Sequence, residues 1–186
     1  PADGGSARQL TEGNYNHYGS LAWSKDSQQI YFSAYRSDDW ELVSGEADIY
    51  AVNISSQKLT QITNEPGVES SPVLSHNGKA LAFIHRVRRP LAYTPDHLAV
   101  MDLSNNKISL LTEDLDGDAY DFIWSEDDKS LYFGYQERGL QKIGNVTLAK
   151  KITEITDKLG GTTVGRPYLS GGFHLSKDTI AYTHGS

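Results

Sequence analysis

The chain has 186 residues, 38% of them hydrophobic and 22% charged, with a formal net charge of −7. The 17 lysines and arginines are scattered, which excludes the basic stripe a nucleic-acid groove needs. No apolar run approaches the roughly 18 residues of a membrane-spanning helix, and the absence of cysteine excludes disulfides and thiolate metal sites while leaving the compartment open.

In chain order, the opening Pro1-Ala2-Asp3-Gly4-Gly5 is polar and turn-like, and Arg8-Gln9-Leu10-Thr11 reads as a short strand. Then a pattern begins that recurs: a bulky apolar residue, a serine, a polar turn and an alternating strand. The copies are Trp23-Ser24-Lys25-Asp26, Leu74-Ser75-His76-Asn77-Gly78, Trp124-Ser125-Glu126-Asp127-Asp128 and Leu175-Ser176-Lys177-Asp178. Their serines lie 51, 50 and 51 residues apart, by subtraction of the residue numbers. A fixed period of this length is the signature of a repeat architecture.

Six and eight residues after the serine come Ile30 and Phe32, Leu81 and Phe83, and Leu131 and Phe133. In the last copy Ile180 and Tyr182 take those places after a turn two residues shorter. A spacing of two puts both side chains on one face of a strand. Asn77-Gly78 tolerates the positive φ of a hairpin turn, so each copy opens with a hairpin. Third strands follow at Asp48–Val52, at His97–Met101 and, with a weaker pattern, at Ile143–Val146. Fourth strands follow at Leu59–Thr63, Ile108–Thr112 and Ile152–Thr156.

Four strands per unit of this length predict an all-β fold, a β-propeller of four-stranded antiparallel blades. The predicted division is residues 1–13 as the last strand of a preceding blade, 14–65, 66–114 and 115–160 as blades, and 161–186 as the first two strands of a further one. About three and a half blades imply a portion of a larger ring. They also imply blade edges able to self-associate, because unpaired strand edges template pairing with another chain.

The residues Pro1-Ala2-Asp3-Gly4-Gly5-Ser6-Ala7-Arg8-Gln9-Leu10-Thr11 followed by Leu21-Ala22-Trp23-Ser24-Lys25-Asp26 resemble the propeller repeats of the prolyl oligopeptidase family of serine peptidases. The likeness is nearest to its acylaminoacyl-peptidase and dipeptidyl-peptidase branch. Leu131-Tyr132-Phe133, Arg138-Gly139, Gly171-Gly172-Phe173 and Ile180 to Ser186 fit the same branch. These motifs are shared with TolB-like propellers. The family's repeat usually reads Trp-Ser-Pro-Asp-Gly; no copy here has the proline, and only the second keeps the glycine.

The resemblance implies that an α/β-hydrolase domain with a Ser-His-Asp triad accompanies the propeller in the parent protein. It also implies that the propeller shields the active site and filters or orients peptide substrates. A G-x-S-x-G nucleophile elbow is absent from these 186 residues, so this chain is expected to supply no catalytic residue. The histidines His17, His76, His85, His97, His174 and His184 match no triad pattern. The alternative implied by the TolB likeness is a protein-binding propeller without enzymatic activity.

Asp114-Leu115-Asp116-Gly117-Asp118 places hard oxygens at alternating positions, but the glycine is fourth and Ser125 stands where a calcium loop has its twelfth-position glutamate. A solvated turn is expected there, with no metal and no cofactor. Asn53-Ile54-Ser55 and Asn145-Val146-Thr147 match the glycosylation sequon. The longest predicted connections join second to third strands, at 35–47 and 86–96. Long loops on one face of a rigid scaffold concentrate binding. Within them Arg36, Trp40, Glu46 and Arg88 are the expected peptide-binding residues, since aromatic and charged groups together suit peptide contact.

Overall fold

The computed structural model describes residues 4–89, 93–161, 171–177 and 179–184. The described residues hold strands and turns and no helix. Strands β1 (His17–Trp23), β2 (Gln29–Ala34), β3 (Asp48–Asn53) and β4 (Leu59–Gln61) form one antiparallel sheet in chain order. Strands β5 (Gly67–Leu74), β6 (Ala80–Val87), β7 (His97–Asp102) and β8 (Lys107–Leu110) form a second. Strands β9 (Ala119–Trp124), β10 (Ser130–Glu137), β11 (Leu140–Thr147) and β12 (Ile152–Leu159) form a third, and β13 (Phe173–Ser176) pairs with β14 (Thr179–Tyr182). These are the four-stranded blades of a β-propeller.

The repeating serine builds the turn between the first two strands of each blade. Ser24, Ser75 and Ser125 each accept a hydrogen bond at Oγ from the backbone N–H five residues on, at 2.8, 3.0 and 3.0 Å. Each Oγ–H is in turn donated to the acid or amide two residues on: Asp26, Asn77 or Asp127. The fourth turn position is left-handed in all three: Ser27 at φ 57°, Gly78 at 75° and Asp128 at 57°. Glycine reaches that region without steric cost. The first and third copies hold it with a non-glycine residue.

Alternation puts one set of apolar side chains on each face of a blade, so successive blades pack face to face. Tyr31, Ile49 and Ala51 of the first blade meet Leu81, Phe83, Ala99 and Met101 of the second. Ala82, Leu98 and Val100 on the second blade's other face meet Trp124, Leu131, Phe133 and Val146 of the third. Trp124 also donates its indole N–H to the Val73 carbonyl of the preceding blade at 3.1 Å.

Main-chain bonds stitch the seams at the same register. Glu69 N–H donates to the Ala47 carbonyl at 2.7 Å, and Ala119 N–H to the Asp96 carbonyl at 2.8 Å. Turns are clamped too, because Asp128 accepts from His76 N–H, Asn77 N–H and His76 Nδ1, each at 2.8 Å.

Two local outcomes differ from the sequence expectation. Arg8–Thr11 pairs in no ladder; it lies along the first blade, with Leu10 packed against Phe32, Ala34, Tyr50 and Val52. The Arg8 guanidinium donates to the Ile54 carbonyl and Gln57 to the Gln9 carbonyl, so side chains hold the segment where a ladder would otherwise have done so. The weak third strand of the third blade runs over all of Leu140–Thr147. It joins β10 through the two-residue turn Arg138-Gly139, both at positive φ, so of the three four-stranded blades described the first two carry long loops between their second and third strands and the third does not.

Candidate functional site

The loop after β2 is built around Asp39. Its carboxylate accepts from Tyr35 Oη–H at 3.0 Å, and its carbonyl accepts from the N–H groups of Leu42 and Val43. Hydrogen bonds from Ser37 and Tyr35 hold the Asp39 carboxyl below its ordinary range. This winding sets Trp40 beside Tyr35 and, from β1, Tyr18 in the wall of a cleft of about 320 Å³ that Glu46 also lines. Leu42 stands out from the same loop, 88% exposed.

Beside it lies a second cleft of about 380 Å³, lined by Arg86, Arg88, Arg89 and Tyr93, and the two share Ser44 and Gly45. Gly45 has φ 78°, where glycine is needed to turn the chain between them. Arg86 holds Asp96 bidentately at 2.7 and 2.8 Å, and burial fails to offset that pairing, so the guanidinium is held charged above its ordinary pKa. Tyr93 Oη–H and Asp96 N–H both donate to Asp118. Asp118, one of the carboxylates of the aspartate run, therefore fastens a loop.

Of the four expected binding residues, the structure joins Glu46 and Arg88 in an ion pair at 2.8 Å. The other Glu46 oxygen accepts from Gly67 N–H at 2.9 Å. Trp40 lines the first cleft with Glu46. Arg36 is turned elsewhere. It donates to the Glu12 carbonyl, reaches His17 Nε2 at 2.8 Å and lies 4.5 Å over the Tyr15 ring. Those contacts fasten the N-terminal segment and line a separate cavity with Gln9 and Leu10.

In the seam of the first two blades lies a buried polar group that sequence reasoning missed. Glu69 is fully buried on the innermost strand of its blade, and its Oε1 is 2.6 Å from His85 Nδ1. Its Oε2 has no hydrogen-bond partner, and neither has the buried Ser33 hydroxyl. Burial, and then the Glu69 charge, push the nearby Asp48 carboxyl up to about 6, against the lowering effect of hydrogen bonds from Thr63 and Gln61. Burial and Asp48 also raise Tyr18, whose hydroxyl donates to the Glu46 carbonyl. The one sequence signal for this group is a glutamate within an otherwise small or apolar innermost strand. Among the described residues no three His, Asp or Glu side chains are gathered as a metal site.

Comparison with known proteins places this architecture. Residues 1–90 match the family described as the dipeptidyl peptidase IV N-terminal region. Dipeptidyl-peptidase 5 of Porphyromonas gingivalis is 27% identical over 139 residues, 73% of this chain and 20% of that protein. The Tol-Pal system protein TolB of Francisella tularensis is 36% identical over 67 residues, 36% of this chain and 14% of that protein. The solved TolB of Acinetobacter baumannii superposes with a TM-score of 0.62 at 17% identity, covering 94% of this chain and 42% of its own, which shows a shared fold. The chain thus spans a fifth or less of either of these two sequence relatives.

Proposed function

We propose that this chain, an N-terminal propeller sequence of the dipeptidyl-peptidase type within the prolyl oligopeptidase family, serves as a non-catalytic part of a serine peptidase. In this reading it shields the active site and filters and orients peptide substrates. The carrying observation is the family match over residues 1–90, a stretch that contains the Trp40 loop, Glu46 and Arg88.

Paired clefts suit a peptide on chemical grounds. Tyr18, Tyr35 and Trp40 offer flat apolar walls for a side chain, while Arg88 and Arg89 offer donors to main-chain carbonyls or a carboxylate. Arg88 is fixed in direction by Glu46, so its remaining N–H groups are held ready, which lowers the ordering cost of binding. Nothing in this part of the reading needs a proton transfer from the chain.

The test is kinetic and uses the peptidase that carries this propeller. Trp40→Ala and Arg88→Ala should each raise KM for peptide substrates about three- to tenfold, with kcat nearly unchanged, because they remove binding rather than transition-state contacts. Unchanged KM and unchanged length preference in both variants would return the loops to plain surface. The TolB similarity favours a second reading, a propeller that docks a protein partner without hydrolysis. A G-x-S-x-G elbow in the same polypeptide separates the two, since only the peptidase needs one.

A further inference from the structure

A cavity of about 790 Å³, more than twice the size of either loop cleft, opens between the outer strands of the second and third blades. Its floor is apolar, formed by Val100 and Leu111 of the second blade and Leu148 of the third. Leu148 follows the third strand of its blade, and its N–H donates to the carbonyl before the second strand, Lys129. Leu103 makes the matching bond to Lys79 in the second blade and packs into the seam with the first blade. The same repeat position therefore closes one seam, while in the next Leu148 stays 46% exposed and the seam gapes.

The groove is preformed. At one end Asp128 is held by His76 and Asn77 of the second blade. The turn that carries Leu148 is tied down by an ion pair from Lys150 to Glu113. Both acids on the rim are already satisfied. Asp102 accepts from Ser104 N–H, Ser104 Oγ–H and Asn105 Nδ2–H, and Asp128 accepts the three bonds just named. The rim lysines, Lys79 and Lys107, have no side-chain partner among the described residues. What the groove offers a ligand is thus two lysines with no side-chain partner, beside two carboxylates whose acceptor sites are already taken, over an apolar floor. Along one side runs β8, the outermost strand of its sheet, whose free edge presents main-chain N–H and C=O groups.

We propose that this groove docks an extended acidic peptide segment, with one apolar side chain on the Leu111 and Leu148 floor and flanking carboxylates on Lys79 and Lys107. The free β8 edge favours a peptide over other apolar anions, because it can pair with a main chain as strand addition does. This interaction is independent of the loop-face reading and uses a different seam.

The probe is a set of fluorescein-labelled, end-blocked pentapeptides, Glu-Glu-X-Glu-Glu with X as Leu, Ile or Phe, titrated into the 186-residue chain by anisotropy. A Lys-Lys-X-Lys-Lys set and sodium dodecanoate serve as comparisons. The expected result is saturable binding of the acidic set, at least tenfold weaker in Lys79→Glu/Lys107→Glu and in Leu148→Asp, and unchanged in Trp40→Ala. All three substituted groove positions are solvent-facing, so circular dichroism should confirm an intact fold. Equal binding of the basic set, binding insensitive to the groove variants, binding of dodecanoate alone, or no binding by any acidic peptide would each overturn the proposal.

Discussion

Trp23 and Trp124 occupy the same place in the repeat, one residue before its serine, and should differ sharply in what they contribute. Trp124 is 2% exposed, packed among Leu131, Phe133 and Val146, and bonded to the Val73 carbonyl. Truncating a buried aromatic costs about 3–5 kcal/mol through lost transfer energy and the cavity left behind. Trp23 is 55% exposed, so Trp23→Ala should cost about 1 kcal/mol or less. The gap of about 3 kcal/mol corresponds to a Tm difference of roughly 6–12 °C for a chain of this size. Trp124→Phe isolates the hydrogen bond, because a ring still fills the seam, and should cost about 1–2 kcal/mol. The assay is urea unfolding followed by far-UV circular dichroism, with the three variants compared at constant m-value. Equal losses for Trp23→Ala and Trp124→Ala would mean that blade packing does not carry the stability assigned to it.

The buried turn serine should matter more than its exposed counterpart. Ser75 is 3% exposed and satisfies the Ala80 N–H, so Ser75→Ala should cost about 2 kcal/mol, and Ser24→Ala, at a wetter turn, about half of that; equal thermal shifts would refute the ranking. Asp48 makes stability pH-dependent in a set direction. Its folded pKa of about 6 lies above the unfolded value of about 3.9, so its stabilising contribution is full below about pH 4 and is lost as pH rises through 6. Asp48→Asn should therefore gain on the parent chain between about pH 4 and 7, and a difference in unfolding free energy that stays flat across that range would contradict the assignment.

Much of the blade was legible because its causes are local. A serine, an acid or amide two residues on, and apolar residues at two-residue spacing specify a turn and a strand by hydrogen-bond reach and by alternation alone. Ser24, Ser75 and Ser125 show the same bonds in each copy. The third blade's third strand was faint because Gln141 and Lys142 are polar on a buried strand. Lys142 is held there by Glu137 and Glu154, a pairing made across strands and invisible in a window of sequence.

The site was legible only in part, for a related reason. A loop's length and chemistry mark it as a place where binding could occur, but partner choice depends on what lies opposite. Arg36 and Arg88 look alike in sequence; one meets Glu12, His17 and Tyr15, the other Glu46. The Glu69–His85 pair and the open seam at Leu148 arise from contacts between residues on different strands or in different blades, which repeat periodicity does not encode.

Active-site labelling tests the peptidase reading most directly. A fluorophosphonate probe should be applied both to the full-length protein that contains this propeller and to the 186-residue chain, and the modified peptide mapped by mass spectrometry. The account predicts stoichiometric labelling of one serine in the full-length protein, lying outside residues 1–186 and within a G-x-S-x-G elbow, with none on the isolated chain. Stoichiometric labelling of a serine within residues 1–186, or no labelling of the full-length protein, would contradict it.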